Sequence, residues 1–185
     1  NRQLSLETVL QSICEEIGSV VNVNLVSITL YDENRDILYT AAQHGASPHY
    51  IKRATKTSKK TYDVIAKQLG PVMVIPDIQA LPGAPDHEMY VELDVHTAVA
   101  VSMLRDEALV GILSVGVCGA IREFTQDELK LLQNLAHLAA QAIINAQLFE
   151  KANRRLYNLQ ALRSIDDTIR SSFNIEFTLQ ILLKQ

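Results

Sequence analysis

The chain has 185 residues, enough for one domain with a core plus appended elements and short for two ordinary domains. A formal net charge of −4 and a pI near 5.7 exclude a nucleic-acid surface as the main function, which needs a dominant basic field. No stretch stays apolar for the length of a membrane span: the best one is interrupted by Gln133, Asn134, His137, Gln141, Asn145 and Gln147, so a cytoplasmic setting is expected.

Ser5 is placed to cap a helix whose apolar face is Leu6, Val9, Leu10, Ile13, Ile17, Val20 and Val21. Leu25 to Tyr31 and Ile37 to Gln43 read as strands, joined by the polar turn Asp32-Glu33-Asn34-Arg35-Asp36 into an antiparallel hairpin. His44-Gly45-Ala46-Ser47-Pro48 ends that pair, and Tyr62, Ile65, Ala66 and Leu69 recur at helical spacing within Ser58 to Leu69. Val72 to Ile75 is a short strand, after which Pro76, Pro82, Gly83 and Pro85 keep the chain irregular, with room for one helical turn, to about Tyr90. Thr97 to Leu104 and Ala108 to Val117 form a second hairpin around Arg105-Asp106-Glu107.

A long helix follows. Thr125 and Glu128 have capping-box spacing, and Phe124 with Leu129 that of a hydrophobic staple. No stop signal comes after it, since the last proline is Pro85 and the last glycine Gly119. A helix from Thr125 to about Ser171 is roughly 70 Å long at 1.5 Å per residue. Beyond Glu150 its stripe of Ala152, Leu159, Leu162, Ile169 and Phe173 sits at spacings near 3.5, broken by Asp166, and is expected to be covered by a second copy in a homodimer. Leu4-Ser5-Leu6-Glu7-Thr8-Val9-Leu10-Gln11 is echoed by Phe173-Asn174-Ile175-Glu176-Phe177-Thr178-Leu179-Gln180, cap, Glu and Leu-Gln in register. The expected organisation is a sensor-sized domain at 4–150, a linker helix at 151–173, and the start of a following domain at 174–185.

The order helix, hairpin, helix, strand, loop, hairpin, long helix resembles a GAF domain, the small-molecule sensor module of bacterial signalling proteins. The resemblance spans Leu4 to Glu150. It rests on Ile28-Thr29-Leu30-Tyr31-Asp32, Val74-Ile75-Pro76-Asp77, Ala98 to Leu104, Leu109 to Val115, and above all Phe124-Thr125 with Asp127-Glu128-Leu129 and Leu132. It implies an α+β fold: a central antiparallel sheet of five to six strands with flanking helices, helices on one face and a ligand pocket on the other, covered by the middle helix and loop. It also implies a fragment of a tandem or multidomain regulator, in which the long helix carries the ligand state to a downstream signalling domain. The polar groups expected around such a pocket are Tyr62, Asp77, Tyr90, His96 and Thr97. They identify neither the ligand nor a cofactor.

Relatives that bind cyclic nucleotides carry an Asn-Lys pair where this chain has Val117-Cys118, so cyclic AMP and cyclic GMP are not expected ligands. Bilin-binding relatives attach the chromophore through a cysteine commonly followed by His, which neither Cys14-Glu15 nor Cys118-Gly119 matches. The free methionine sulfoxide reductase needs several pocket cysteines, and two at opposite ends of the domain argue against it, so no enzymatic activity is expected. Asp86-His87-Glu88 and Asp94-Val95-His96 contain the ligand types of a two-histidine, one-carboxylate iron site, but such residues are common in solvated loops and no metal is expected. The basic run Lys52 to Lys60 has the donors to clamp an anion and is more simply a solvated loop. The rival of a ligand sensor is a purely structural dimerisation module with a collapsed pocket.

Overall fold

The computed structural model describes residues 6–32, 35, 37–46, 55–56, 64, 67–68, 70–84, 87–105 and 108–182, with side chains up to 169 except at 55, 56 and 108. In chain order the elements are α1 (Leu6–Val21), β1 (Leu25–Asp32), β2 (Ile37–His44), β3 (Thr55–Lys56), β4 (Val72–Ile75), α2 (His87–Glu92), β5 (Val95–Arg105), β6 (Ala108–Cys118) and α3 (Gln126–Leu182). The expected middle helix falls largely outside the described residues, where Val64, Lys67 and Gln68 alone are described and helical. The strands form one sheet in the order β3-β2-β1-β6-β5-β4, and each β1, β5 and β6 pairing is antiparallel. This is the α+β arrangement, with a six-stranded sheet, that the resemblance implied, and the two hairpins read from the sequence lie within it.

Alternation decides the two faces. Val26, Ile28 and Leu30 of β1 oppose Val115, Leu113 and Gly111 of β6, which oppose Val99, Val101 and Met103 of β5. All eight side chains are buried, and they share one core with Leu10, Cys14, Ile17 and Val21 of α1 and with Leu132, Ala136, Ala139, Ala140 and Ile143 of α3. Helix α1 therefore turns its apolar stripe inward, as its 3.6-residue spacing dictates, while Val20 stays exposed.

By contact the chain divides into two units, residues 1–143 and 144–185. The second unit is helical to Leu182, passing Asn174 without a break. Its Leu156, Leu159, Leu162, Ile165 and Ile169 are each about half exposed or more, and the side chain of Phe173, the last stripe position, lies outside the described residues. Among the described residues no helix is long and apolar enough to cross a membrane.

Candidate functional site

The sheet face opposite the helices carries a patch of small side chains with larger ones beside it. Three cross-strand rows lie on it: Leu25–Gly116–Ala98–Ile75, Ser27–Ser114–Ala100–Met73 and Thr29–Ile112–Ser102. Glycine, alanine and serine hold the middle of the first two rows, with Leu25, Ile75, Met73 and Ile112 as larger neighbours, and apart from the buried Gly116 these positions are only partly buried. Sequence alternation marks this face as non-core, but register alone brings the small residues into adjacent rows.

The segment after β4 is fastened at one end of this face. A β-bulge leaves His96 as the extra residue between the pairs Val95↔Cys118 and Thr97↔Val117. The backbone oxygen of His96 accepts a hydrogen bond from the Ile78 N–H at 2.7 Å. Ile78 and Val95 are buried outside the helix-side core, and a Cβ added to Gly116 would lie 3.2 Å from Val95 Cγ1. The imidazole lies between two carboxylates, with Nδ1 3.5 Å from Asp77 Oδ1 and Nε2 3.4 Å from Asp94 Oδ1. Neither contact is a hydrogen bond, and His96 Nδ1 is buried without a hydrogen-bond partner. Asp77 also accepts from the Gln79 N–H at 3.2 Å, an Asx turn, and Gln79 Nε2 reaches Asp94 at 3.5 Å.

Of the five expected pocket residues, Asp77 and His96 are thus brought together. Thr97 is adjacent but fully buried. Its hydroxyl donates to the Pro76 carbonyl at 2.9 Å and accepts from the Arg122 N–H at 2.9 Å, which commits its one proton. Tyr90 lies on α2, partly buried; Tyr62 lies outside the described residues. Asp94, which the sequence marked beside His96 only as a metal-ligand type, and Gln79, which it did not mark, complete the cluster. Asp94 has left-handed backbone (φ 53°), a conformation that aspartate tolerates better than most residues and that no sequence pattern announced. Among the described residues no three His, Cys, Asp or Glu side chains are grouped to hold a metal.

The two thiols are chemically quiet. Burial, helped by the Glu15 carboxylate, pushes Cys14 up to about 12, and burial with the Asp94 charge also raises Cys118. Neither is the low-pKa thiolate that sulfur chemistry needs.

A second polar centre opens α3. The Thr125 N–H donates to Glu128 Oε2 at 2.8 Å and the Glu128 N–H to Thr125 Oγ1 at 3.2 Å, closing the expected capping box. Arg122 bonds the other oxygen of Glu128 and donates to the carbonyls of Val21 and Asn22 at 3.0 and 2.7 Å, where α1 ends. Its guanidinium also lies 4.8 Å from the Phe124 ring centroid. No motif foretold the role of Arg122, because its partners are three separate elements.

A shallow, open depression along α3, lined by Gln160, Arg163, Ser164, Asp167 and Thr168, is one face of a single helix and encloses nothing.

No curated protein matches the chain in sequence. Among solved structures, it is similar to the GAF domain of a Coxiella burnetii phosphoenolpyruvate-protein phosphotransferase (TM-score 0.69, 17% identity, covering 82% of this chain and 89% of that one). It is also similar to the blue-light absorbing form of the Thermosynechococcus elongatus PixJ GAF domain (0.66, 15%, 83% and 93%). A third likeness is to a GAF domain/HD domain protein of Geobacter sulfurreducens (0.65, 13%, 80% and 99%). At these identities the likeness is one of fold. The family model for the GAF domain matches residues 5–143, which is the first unit almost end to end. The chain belongs to the GAF domain family.

Proposed function

We propose that this chain is a regulatory, non-catalytic sensor domain that binds a small molecule on the sheet face opposite its helices and passes its state along α3 to a downstream domain. The observation that carries this reading is the floor of Ser27, Ser114, Ala98, Ala100 and Gly116. A face meant only to be collapsed is filled with large apolar side chains to native density; this patch is kept short between Leu25, Ile75, Met73 and Ile112, while the opposite face is packed with Leu, Ile, Val and Met. Asp77 and His96, with Asp94 and Gln79, stand at its rim and offer a ligand both donors and acceptors. Signalling neighbours support the sensor role, among them the PixJ domain and a far-red cyanobacteriochrome photoreceptor. The two cysteines favour neither bilin attachment nor reductase chemistry here.

Native mass spectrometry of freshly purified protein is expected to show a retained small molecule. Ala100→Leu together with Ser114→Leu fills the floor without touching the helix-side core and is expected to abolish retention while the thermal midpoint changes little. A wild-type chain that retains nothing, or a filled floor that retains as well as the wild type, favours the purely structural module instead.

The exposed stripe of Leu159, Leu162 and Ile169 supports a homodimer joined along the helix, and the echo of the first helix's sequence at 173–180 supports a following domain over 174–185. Sedimentation at micromolar concentration is expected to give a dimer, and truncation after Glu150 a folded domain of weaker association. A monomeric full chain overturns the dimer.

A further inference from the structure

The fastened segment after β4 and the first turn of α3 meet at one hydroxyl. Pro76, which begins that segment, is held by Thr97 Oγ1. The same oxygen receives the Arg122 N–H, and the Arg122 side chain ends on Glu128, the acidic half of the capping box. A hydroxyl that donates its single proton in one direction and accepts from another has no spare orientation. Buried as it is, it loses one partner only by leaving a polar group unsatisfied. A shift of Pro76 is therefore felt at Arg122. Helix starts are among the places where local opening is cheapest, and the box is closed here, with Glu128 shared between Thr125 and Arg122, so that losing Arg122 leaves it free to fray.

The geometry points to Thr97 as a positioning residue that couples the segment fastened at one end of the second sheet face to the capping box of α3. This rests on the reading of that face as the ligand site. With the segment held down, Thr97 keeps Arg122 aligned and the box closed; lifting it releases Arg122 and frays the first turn. The ligand thereby acts on the long helix without touching it. A merely structural Thr97 would leave the two ends independent, and their responses would add.

Amide hydrogen exchange on the full, ligand-free chain tests this. His96→Gln removes the imidazole between Asp77 and Asp94 and touches neither Arg122 nor α3. The Ile78 and Gln79 amides are expected to exchange about fivefold faster or more, the factor that accompanies loss of one ordinary interaction. Glu128 and Leu129, whose N–H groups bond Thr125, are expected to accelerate with them. The Leu113 amide, in the middle of β6, serves as the reference for global stability. In a Thr97→Val background, His96→Gln is expected to speed up residues 78 and 79 only, and in a Thr97→Ser background to act as in the wild type. Should Thr97→Val fail to fold, Arg122→Gln keeps the N–H but cuts the link to Glu128, and the same loss of transmission is expected. Unchanged exchange at 128 and 129 while 78 and 79 accelerate overturns the coupling, as does equal acceleration with and without the Thr97 hydroxyl. Because no ligand is present, a chain that retains none in mass spectrometry but passes this test loses the sensor reading alone.

Discussion

Gly111→Ala is expected to lower stability by about 3 kcal/mol, at the upper end for overpacking, which for a chain of this length lowers Tm by about 6–12 °C. A Cβ at this position would lie 2.5 Å from Met103 Cε, 2.7 Å from Leu30 Cδ2 and 2.7 Å from the Thr29 carbonyl oxygen. Met103 has the freedom to swing away. The carbonyl does not, because it belongs to the central β1–β6 ladder, so relief requires the strands to part. Thermal unfolding followed by circular dichroism checks this, and an unchanged midpoint would mean that the ladder yields more easily than its pairing implies. Gly111→Ala with Met103→Ala separates the two causes: the Met103 clash disappears and the backbone clash persists.

Arg122→Ala is expected to lower stability by about 2 kcal/mol, discounted from the sum of its bonds because the side chain is about a quarter exposed. It strands the last carbonyls of α1 and removes the cation from the Phe124 ring. A pH signature accompanies the loss. The Glu128 carboxyl is held below the usual glutamate range, first by the Thr125 N–H and then by the Thr125 hydroxyl and Arg122. A depressed folded-state pKa gives stability that is present above the unfolded value and lost as pH falls through the folded one. The wild-type midpoint therefore declines on acidification through that window. Arg122→Ala is expected to narrow the Glu128 part of the decline without removing it, since the Thr125 N–H remains; Glu128→Gln is expected to remove it. An NMR titration of the Glu128 carboxyl that gives the same value with and without Arg122 would show the ion pair to be idle.

Much of the fold was legible because local rules and tertiary packing agree. Alternation marked β1, β5 and β6, Asp32 to Asp36 marked the first turn, and Thr125 with Glu128 marked the start of α3 at the residues that form its box. What stayed hidden depends on register and on distant contacts. His96 was readable as a polar residue near a strand, but its bulge, and hence its place between Asp77 and Asp94, is a property of β5 against β6. Thr97 was expected as a pocket group because the resemblance places its strand beside the pocket; no sequence pattern announced that its hydroxyl is held by Pro76 and Arg122. Arg122 carried no local signal at all. The small-residue floor is the same kind of case: Ser27, Ser114 and Ala100 are unremarkable singly and meet only through pairing.

Among the described residues, the outer edge of β2 meets a neighbouring strand only over a short stretch. β3 pairs only with Ile37 and Leu38, yet at Gln43 the outward N–H and C=O of β2 are both taken by the side-chain amide of Gln11 on α1, at 3.4 and 3.0 Å. A primary amide has the same donor-acceptor pair as a peptide group, so one glutamine stands in for a residue of a missing neighbouring strand. If copies of this domain are held close together by their long helices, their β2 edges are at high local concentration, and an unpaired strand edge is a template for intermolecular β-pairing. Gln11 blocks that route where β2 meets the helix layer. Its loss would therefore be felt less in the melting of one molecule than in how long a concentrated solution stays clear.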